Sequence, residues 1–334
     1  MSNDTQAPVF VSSDAAREVF RWEDAIAALQ QAYSHPTPAK ATPPRTVASV
    51  DKTWLRTLPA IPPKSRYYGA KLMGSDMGSA TPGIEYVIVL FDRITNRIAA
   101  FIDGNLVTGF RTASTSASAL DRLAPKGPAR LAVLGSGLEA SMHIRAFASV
   151  RQLSDVTVFS PTQARRDAFA AAVTSDLGIP ARGVASAQEA VEGADIVLTA
   201  ARSRDERPIL FGDWLKPGAT VVSIGSTIPE QREIDISVVE RSDLIICDTL
   251  EEVLEETGDM LAASAAGIEF HYKAFSLADL MSGACDEALV KARAPMFKSV
   301  GGGLQDIVVA ELILTKALAA GLATPLPIEF ETKR

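Results

Sequence analysis

Apolar positions along this chain follow two periods in turn. Ala25, Ile26, Leu29 and Tyr33 recur at helical spacing, and Ser13 or Asp14 can cap the start, so a helix is predicted over 14–33. Four prolines within His35 to Pro44 then predict an extended connector. Short segments rich in β-branched and aromatic residues follow at Thr46–Val50, Trp54–Leu58, Tyr67–Leu72, Tyr86–Asp92 and Ile98–Ile102. With Asp92–Asn96 as a hairpin loop, they predict a mostly antiparallel sheet.

At Gly104 the pattern changes. Asn105–Leu123 is a helix of small residues, closed by Pro125 and Gly127. Apolar strands at Leu131–Leu134, Val156–Phe159, Ile196–Thr199, Thr220–Ile224 and Leu244–Cys247 alternate with helical stretches. Such alternation indicates a parallel sheet covered on both faces. The tail helix Gln305–Ala320 has no strand to pair with locally and is expected to pack back on the N-terminal half. A length of 334 residues suits two domains, placed at 1–118 with 305–334, and at 119–304. The expected class is therefore α/β: a doubly wound parallel sheet plus a discontinuous α+β domain.

Charge and composition narrow the function. A net charge of -7 offers no broad basic face to nucleic acid or anionic membranes. The longest apolar runs are too short to span a bilayer, and the polar start Met1–Pro8 does not read as a signal peptide. Two cysteines, Cys247 and Cys285, read as buried free thiols of a cytoplasmic protein. The histidines His35, His143 and His271 lack metal-ligand spacing, so no metal is expected.

The strongest local motif is Leu131-Ala132-Val133-Leu134-Gly135-Ser136-Gly137-Leu138-Glu139-Ala140. A strand runs into Gly-x-Gly-x-x-Ala and opens a helix. Gly135 permits the tight turn, Gly137 lets backbone approach a pyrophosphate, and Ala140 allows close packing of helix on strand. Inside a βαβ unit, this is the Rossmann-type fingerprint of a dinucleotide site. The second strand ends in Phe159-Ser160-Pro161-Thr162, followed by Arg165 and Arg166, where NAD-preferring proteins usually carry a carboxylate. Hydroxyls and guanidiniums there suit a 2′-phosphate, so NADP is favoured and NAD remains an alternative. Thr199-Ala200-Ala201-Arg202-Ser203 and Ile224-Gly225-Ser226-Thr227 follow further strand ends, with small residues that leave room for a nicotinamide ring.

Four segments together resemble the ornithine cyclodeaminase/mu-crystallin family. They are Asp103-Gly104-Asn105-Leu106-Val107-Thr108-Gly109-Phe110-Arg111-Thr112-Ala113, Leu134-Gly135-Ser136-Gly137, Arg232-Glu233-Ile234-Asp235, and Phe297-Lys298-Ser299-Val300-Gly301 with Gln305-Asp306. The resemblance implies that Arg45, Lys71 and Arg111 hold a substrate α-carboxylate, with Lys71 and Arg111 catalytic and Lys71 moving the proton. It also places Thr112, Gly135, Ser136, Gly137, Leu138, Ser160, Thr162, Arg165, Thr199, Ala201, Ile224, Ser226, Val300 and Gly301 at the cofactor. A homodimer is implied as well.

The residues themselves agree about Lys71. It sits in an apolar strand segment, Tyr68-Gly69-Ala70-Lys71-Leu72, where an amine needs a reason to be present. Desolvation and nearby arginines would lower its pKa toward neutrality. One departure separates activities within the family. Cyclodeaminases carry Asp before the proline of Gly-x-Asp-x-Pro, whereas this chain has Gly225-Ser226-Thr227-Ile228-Pro229. A threonine hydroxyl is no carboxylate base, so Thr227 is expected at the substrate without that role. The expected activity is NAD(P)H-dependent reduction of a carboxylate-bearing ketimine or cyclic imino acid. A cyclodeaminase, an amino-acid dehydrogenase and a non-catalytic NADPH-dependent binding protein remain alternatives.

Overall fold

The computed structural model describes residues 7–201 and 206–333. In chain order the first elements are β1 (Val9–Val11), α1 (Ser13–Val19), α2 (Trp22–Tyr33), β2 (Thr46–Val50), β3 (Thr53–Ala60), β4 (Tyr67–Asp76), β5 (Glu85–Asp92), β6 (Arg97–Asp103) and α3 (Gly104–Leu123). Next come β7 (Ala129–Leu134), α4 (Leu138–Val150), β8 (Leu153–Phe159), α5 (Gln163–Leu177), β9 (Ala181–Gly183), α6 (Ala187–Val191), β10 (Ile196–Thr199) and β11 (Thr220–Ser223). The remainder is α7 (Ile236–Arg241), β12 (Leu244–Cys247), α8 (Leu250–Glu256), α9 (Gly258–Ala265), β13 (Ala274–Ser276), α10 (Leu277–Ser282), α11 (Asp286–Lys291), β14 (Pro295–Lys298), α12 (Gly303–Ala320) and β15 (Thr324–Pro325). Two compact units result, residues 1–111 with 302–334, and residues 112–301. The first division falls inside α3, after Arg111.

In the first unit the sheet order is β15-β1-β6-β5-β4-β3-β2. Strands β2 to β6 pair antiparallel in succession, while β1 joins β6 in parallel. Helix α12 packs on β3, β4 and β5 and against α2, closing the core over Leu58, Ile88, Leu90 and Ile102. Gly303, at the start of α12, is there because the backbones nearly touch. A Cβ on it would sit 2.6 Å from the Pro59 carbonyl oxygen of β3.

The helix expected over 14–33 is two helices. Phe20 and Arg21 are extended between them, with ψ of 139° and 133°. The break lets the Phe20 ring stack on Phe110 at 3.9 Å, a contact no local periodicity encodes. Neither Ser13 nor Asp14 is the cap of α1; Ser12 is, accepting from the Ala15 N–H at 3.2 Å.

In the second unit the parallel sheet runs β13-β12-β14-β11-β10-β7-β8-β9. Strand β7 has β8 on one side and β10 on the other, so the chain order reverses there, at the topological switch where α/β sheets bind ligands. Strand β14 was not expected from the pattern, yet it is wholly buried between β11 and β12. Pro295 opens it and Lys298 closes it, two residues that disguise a central strand. Both cysteines are buried free thiols. Among the described residues, no helix is long and apolar enough to cross a membrane.

Candidate active site

The first unit buries a charged cluster. Lys71, at the centre of β4, is only 1% exposed, and its ammonium donates to Asp306 Oδ1 at 2.9 Å. Arg111, seven residues into α3 from Gly104, brings Nε to 3.0 Å of the same oxygen, and its Nη1 donates to Gln305 Oε1 at 3.0 Å. Gln305 Nε2 in turn donates to Tyr33 Oη at 3.0 Å. One carboxylate from the first turn of α12 is thus shared by two cations from a strand and a helix.

Burial of the Lys71 ammonium brings its pKa down from 10.5 to about 8, with the Arg111 guanidinium pushing the same way and Asp306 opposing. This is the depressed lysine that the sequence suggested, with one addition. Arg56 also acts on it as a neighbouring cation. Arg45 lies half-buried at the head of β2, one residue before the Thr46–Thr57 pair.

The sequence did not assign roles to Asp306, Gln305 or Arg56. Asp306 and Gln305 were legible only as part of a family-like segment, because a buried charge reveals its partner only once the chain is folded.

In the second unit the glycine-rich turn has the geometry its spacing suggested. Gly135 adopts φ of +128°, and a Cβ there would meet the Ala200 carbonyl oxygen at 2.5 Å. Gly137 precedes α4, and a Cβ on it would meet nothing within 4 Å. No side chain caps α4, so its first N–H groups are open to an anion. Ala140 is fully buried beneath the turn, while Leu138 is exposed. Ser136 Oγ donates to Ser160 Oγ at 3.0 Å, tying the turn to the end of β8. Among the described residues, Phe159, Ser160, Pro161 and Thr162 at that strand end include no carboxylate. Thr162 and Arg165 are exposed, and Arg166 donates to the Ser160 carbonyl at 3.1 Å. These residues fit a dinucleotide: the turn and helix start match a pyrophosphate, and the β8 end suits an adenosine ribose.

The other strand ends are held from below by buried carboxylates. Glu233 accepts from Thr199 Oγ1 at 2.7 Å, Ala201 N–H at 3.0 Å, Ser223 Oγ at 2.9 Å and Gly225 N–H at 2.7 Å. Desolvation nonetheless holds its carboxyl above the usual range, with Lys298 pulling the other way. Lys298 pairs with Asp259 Oδ2 at 3.0 Å, and Asp259 Oδ1 accepts from the Glu233 N–H at 2.8 Å. Ser226 Oγ donates to the Gln231 carbonyl at 2.6 Å. The polar side-chain atoms of Thr199 and Ser226 are therefore engaged within the protein, and these positions offer a ligand shape and backbone. The Val300 and Gly301 N–H groups donate to Asp248 at 3.0 and 2.9 Å. Ile224 is buried and Thr112 half-buried. Arg202 and Ser203 lie outside the described residues.

Thr227 is held by Gln231 Oε1, which accepts from its N–H at 3.0 Å and its hydroxyl at 3.1 Å. The hydroxyl acts as a donor there.

A Gly-rich turn at the switch point of a parallel sheet, in a chain that also carries a buried lysine–arginine–carboxylate cluster, defines a Rossmann-type α/β protein for a dinucleotide and a small acid. The chain belongs to the ornithine cyclodeaminase/mu-crystallin family, whose model matches residues 9–321. It is 32% identical over 322 residues to ketimine reductase mu-crystallin from Rattus norvegicus, covering 92% of this chain and 97% of that relative. A Delta(1)-pyrroline-2-carboxylate reductase from Paracoccus denitrificans is 29% identical over 325 residues, or 94% and 98% of the two chains. Among solved structures, Thermococcus litoralis Delta(1)-pyrroline-2-carboxylate reductase, in complex with NADH and L-proline, matches with a TM-score of 0.85 at 25% identity. That match covers 95% of this chain and 100% of the other.

Proposed function

We propose that this protein is an NAD(P)H-dependent reductase of carboxylate-bearing imines, converting C=N to CH–NH. The carrying observation is the buried Lys71, kept titratable near pH 8 beside Arg111 and Asp306. Relatives whose names are ketimine and pyrroline-2-carboxylate reductases support the same reading.

When bound, the dinucleotide supplies the hydride. Residues 112–301 hold it through Gly135, Ser136, Gly137 and the start of α4. Ser160, Thr162 and Arg165 favour NADPH, because no carboxylate there repels a 2′-phosphate. Residues 1–111 with 302–334 take the substrate. Arg111 and Arg45 draw its carboxylate by charge-assisted hydrogen bonds. Lys71 Nζ holds the proton that the substrate nitrogen receives, and Asp306 fixes the direction of that ammonium. The protein's share is orientation and electrostatics. Exposed Val47 and Val50 on the edge strand β2 support a homodimer, and the buried thiols fit a reducing cytoplasm.

The test is NADPH oxidation with pyrroline-2-carboxylate, piperideine-2-carboxylate, and 2-oxo acids supplied with ammonia or methylamine. Stoichiometric loss of NADPH with formation of the amino acid is expected. Ammonia release from a diamino acid with no net change in the nicotinamide would instead identify a cyclodeaminase and sink the reductase.

A further inference from the structure

In the parallel sheet, β10 and β11 run in register up to the pair Thr199 and Ser223. Ladder bonds continue one residue further: the Ala200 N–H donates to the Leu134 carbonyl at 2.9 Å, and the Ile224 N–H to the Thr199 carbonyl at 3.2 Å. The next N–H groups leave the ladder, and buried N–H groups need partners. Both go to Glu233, Ala201 to Oε1 at 3.0 Å and Gly225 to Oε2 at 2.7 Å. The hydroxyls of Thr199 and Ser223 also donate to Oε2, at 2.7 and 2.9 Å. One side chain thereby ends both strands. Glu233 is itself held at both sides of its backbone. Its N–H donates to Asp259 Oδ1 at 2.8 Å, and its carbonyl accepts from the Ile209 N–H at 2.8 Å. The carboxylate also explains the glycine it meets: a Cβ on Gly225 would overlap Glu233 Oε1 and stand 2.8 Å from the Ala201 carbonyl oxygen.

A buried carboxylate is a costly way to end two strands, because desolvation opposes the charge and apolar packing holds a sheet without it. What it adds is fixed position. With donors from both strand ends on one rigid carboxylate, neither end moves alone. These ends lie on the β10 side of β7, opposite β8. A dinucleotide crosses a sheet of this kind at the switch point, with one nucleotide on each side. With the adenosine at the end of β8, the nicotinamide half comes to β10 and β11. Glu233 is fully buried and both its oxygens are engaged within the protein, so it acts on a ligand only through the backbone it holds.

We propose that Glu233 is a positioning residue, fixing the ends of β10 and β11 as a preformed seat for the nicotinamide half of the dinucleotide. The proposal rests on the dinucleotide reading of residues 112–301 and adds the group that sets the seat.

The experiment measures, by calorimetry, the affinity for NADPH and for 2′-phospho-ADP-ribose, which lacks the nicotinamide; NADH and ADP-ribose serve as the pair if they bind more tightly. Glutamine at 233 keeps the shape of the side chain but turns one oxygen into an amide nitrogen, which has no lone pair to offer an N–H donor. Glu233→Gln is expected to weaken the complete dinucleotide by about 10-fold or more relative to the fragment, the loss typical of a hydrogen bond to a charged group. Thr199→Val, which removes one donor, should shift the same ratio less, and Thr199→Ser should restore it. A general disturbance of the fold would weaken both ligands alike. An unchanged ratio in Glu233→Gln therefore overturns the proposal, whether both affinities fall or neither does, and the dinucleotide reading survives. A wild type that binds none of the four ligands defeats that reading, and the proposal with it. If Glu233→Gln does not fold, the ratio in Thr199→Val decides in its place. If neither variant folds, amide exchange in the cofactor-free wild type decides. A preformed seat requires the Ala201 and Gly225 N–H groups to exchange as slowly as those within β10 and β11, and exchange as fast as in exposed turns overturns the proposal.

Discussion

The Lys71 ammonium lies 2.9 Å from Asp306 Oδ1, a contact between residues 235 positions apart in sequence. Each makes the other tolerable where it is. A lysine buried in the middle of a sheet would otherwise lose its proton, and the carboxylate of Asp306 works against that loss. Arg111, at 3.0 Å from the same oxygen, keeps the lysine from becoming too strong a base.

The pH dependence of turnover follows from that balance. The Lys71 pKa is brought from 10.5 to about 8, so the ammonium is present below pH 8 and lost above it. Imine reduction, which consumes the proton, is expected to fall as pH rises through about 8, and amino-acid oxidation to rise over the same range. In Lys71→Met, initial rates should drop by roughly 10²–10⁴ and the residual rate should lose this limb. The sign of the stability effect is fixed too. Between the folded value of about 8 and the unfolded 10.5, the unfolded chain binds the extra proton, so this group adds stability as pH rises through that window. Thermal melts of wild type and Lys71→Met across the window check it, and a gain that persists in the variant would contradict it.

Asp306→Asn leaves two buried cations facing a neutral amide. A loss of about 3–5 kcal/mol is expected from breaking a buried pair, read by denaturant titration. Asp306 raises the Lys71 pKa, so its removal should also move the pH limb of reduction to lower pH. An unmoved limb in a folded variant would show that the carboxylate does not govern the lysine.

Gly135→Ala tests the dinucleotide turn. The φ of +128° and the 2.5 Å approach to the Ala200 carbonyl oxygen leave no room for a methyl group. Strain of about 1–3 kcal/mol is expected, together with weakened NADPH binding in fluorescence titration. Gly137→Ala has open space around its Cβ and should cost less stability while still hindering the pyrophosphate. Equal melting temperatures for the two variants would refute this ranking.

Ser160→Asp restores a carboxylate at the end of β8. It should raise the KM for NADPH by about 10-fold or more relative to that for NADH, through repulsion of the 2′-phosphate and acceptance of ribose hydroxyls. A ratio of KM values that stays put would place the adenosine elsewhere.

Much of the architecture is legible in local pattern. The Gly135-Ser136-Gly137 turn, the apolar strands on either side of it and the placement of Lys71 in a non-polar strand all rest on interactions within a few residues, so they appear in the order of the letters. The break at Phe20 and the central strand β14 do not. Phe20 leaves the helix because of Phe110, and Lys298 can close a buried strand only because Asp259 lies 3.0 Å away.

By itself, then, the amino-acid sequence determined the class of fold, the glycine-rich turn before α4 and the presence of a lysine in a non-polar strand. Only the tertiary structure decided which carboxylate each cation meets: Asp306 for Lys71 and Arg111, Asp259 for Lys298. The reason is physical. Period and turn chemistry act over a few residues, whereas the energy of a buried charge depends on whichever distant segment the fold brings within about 3 Å of it.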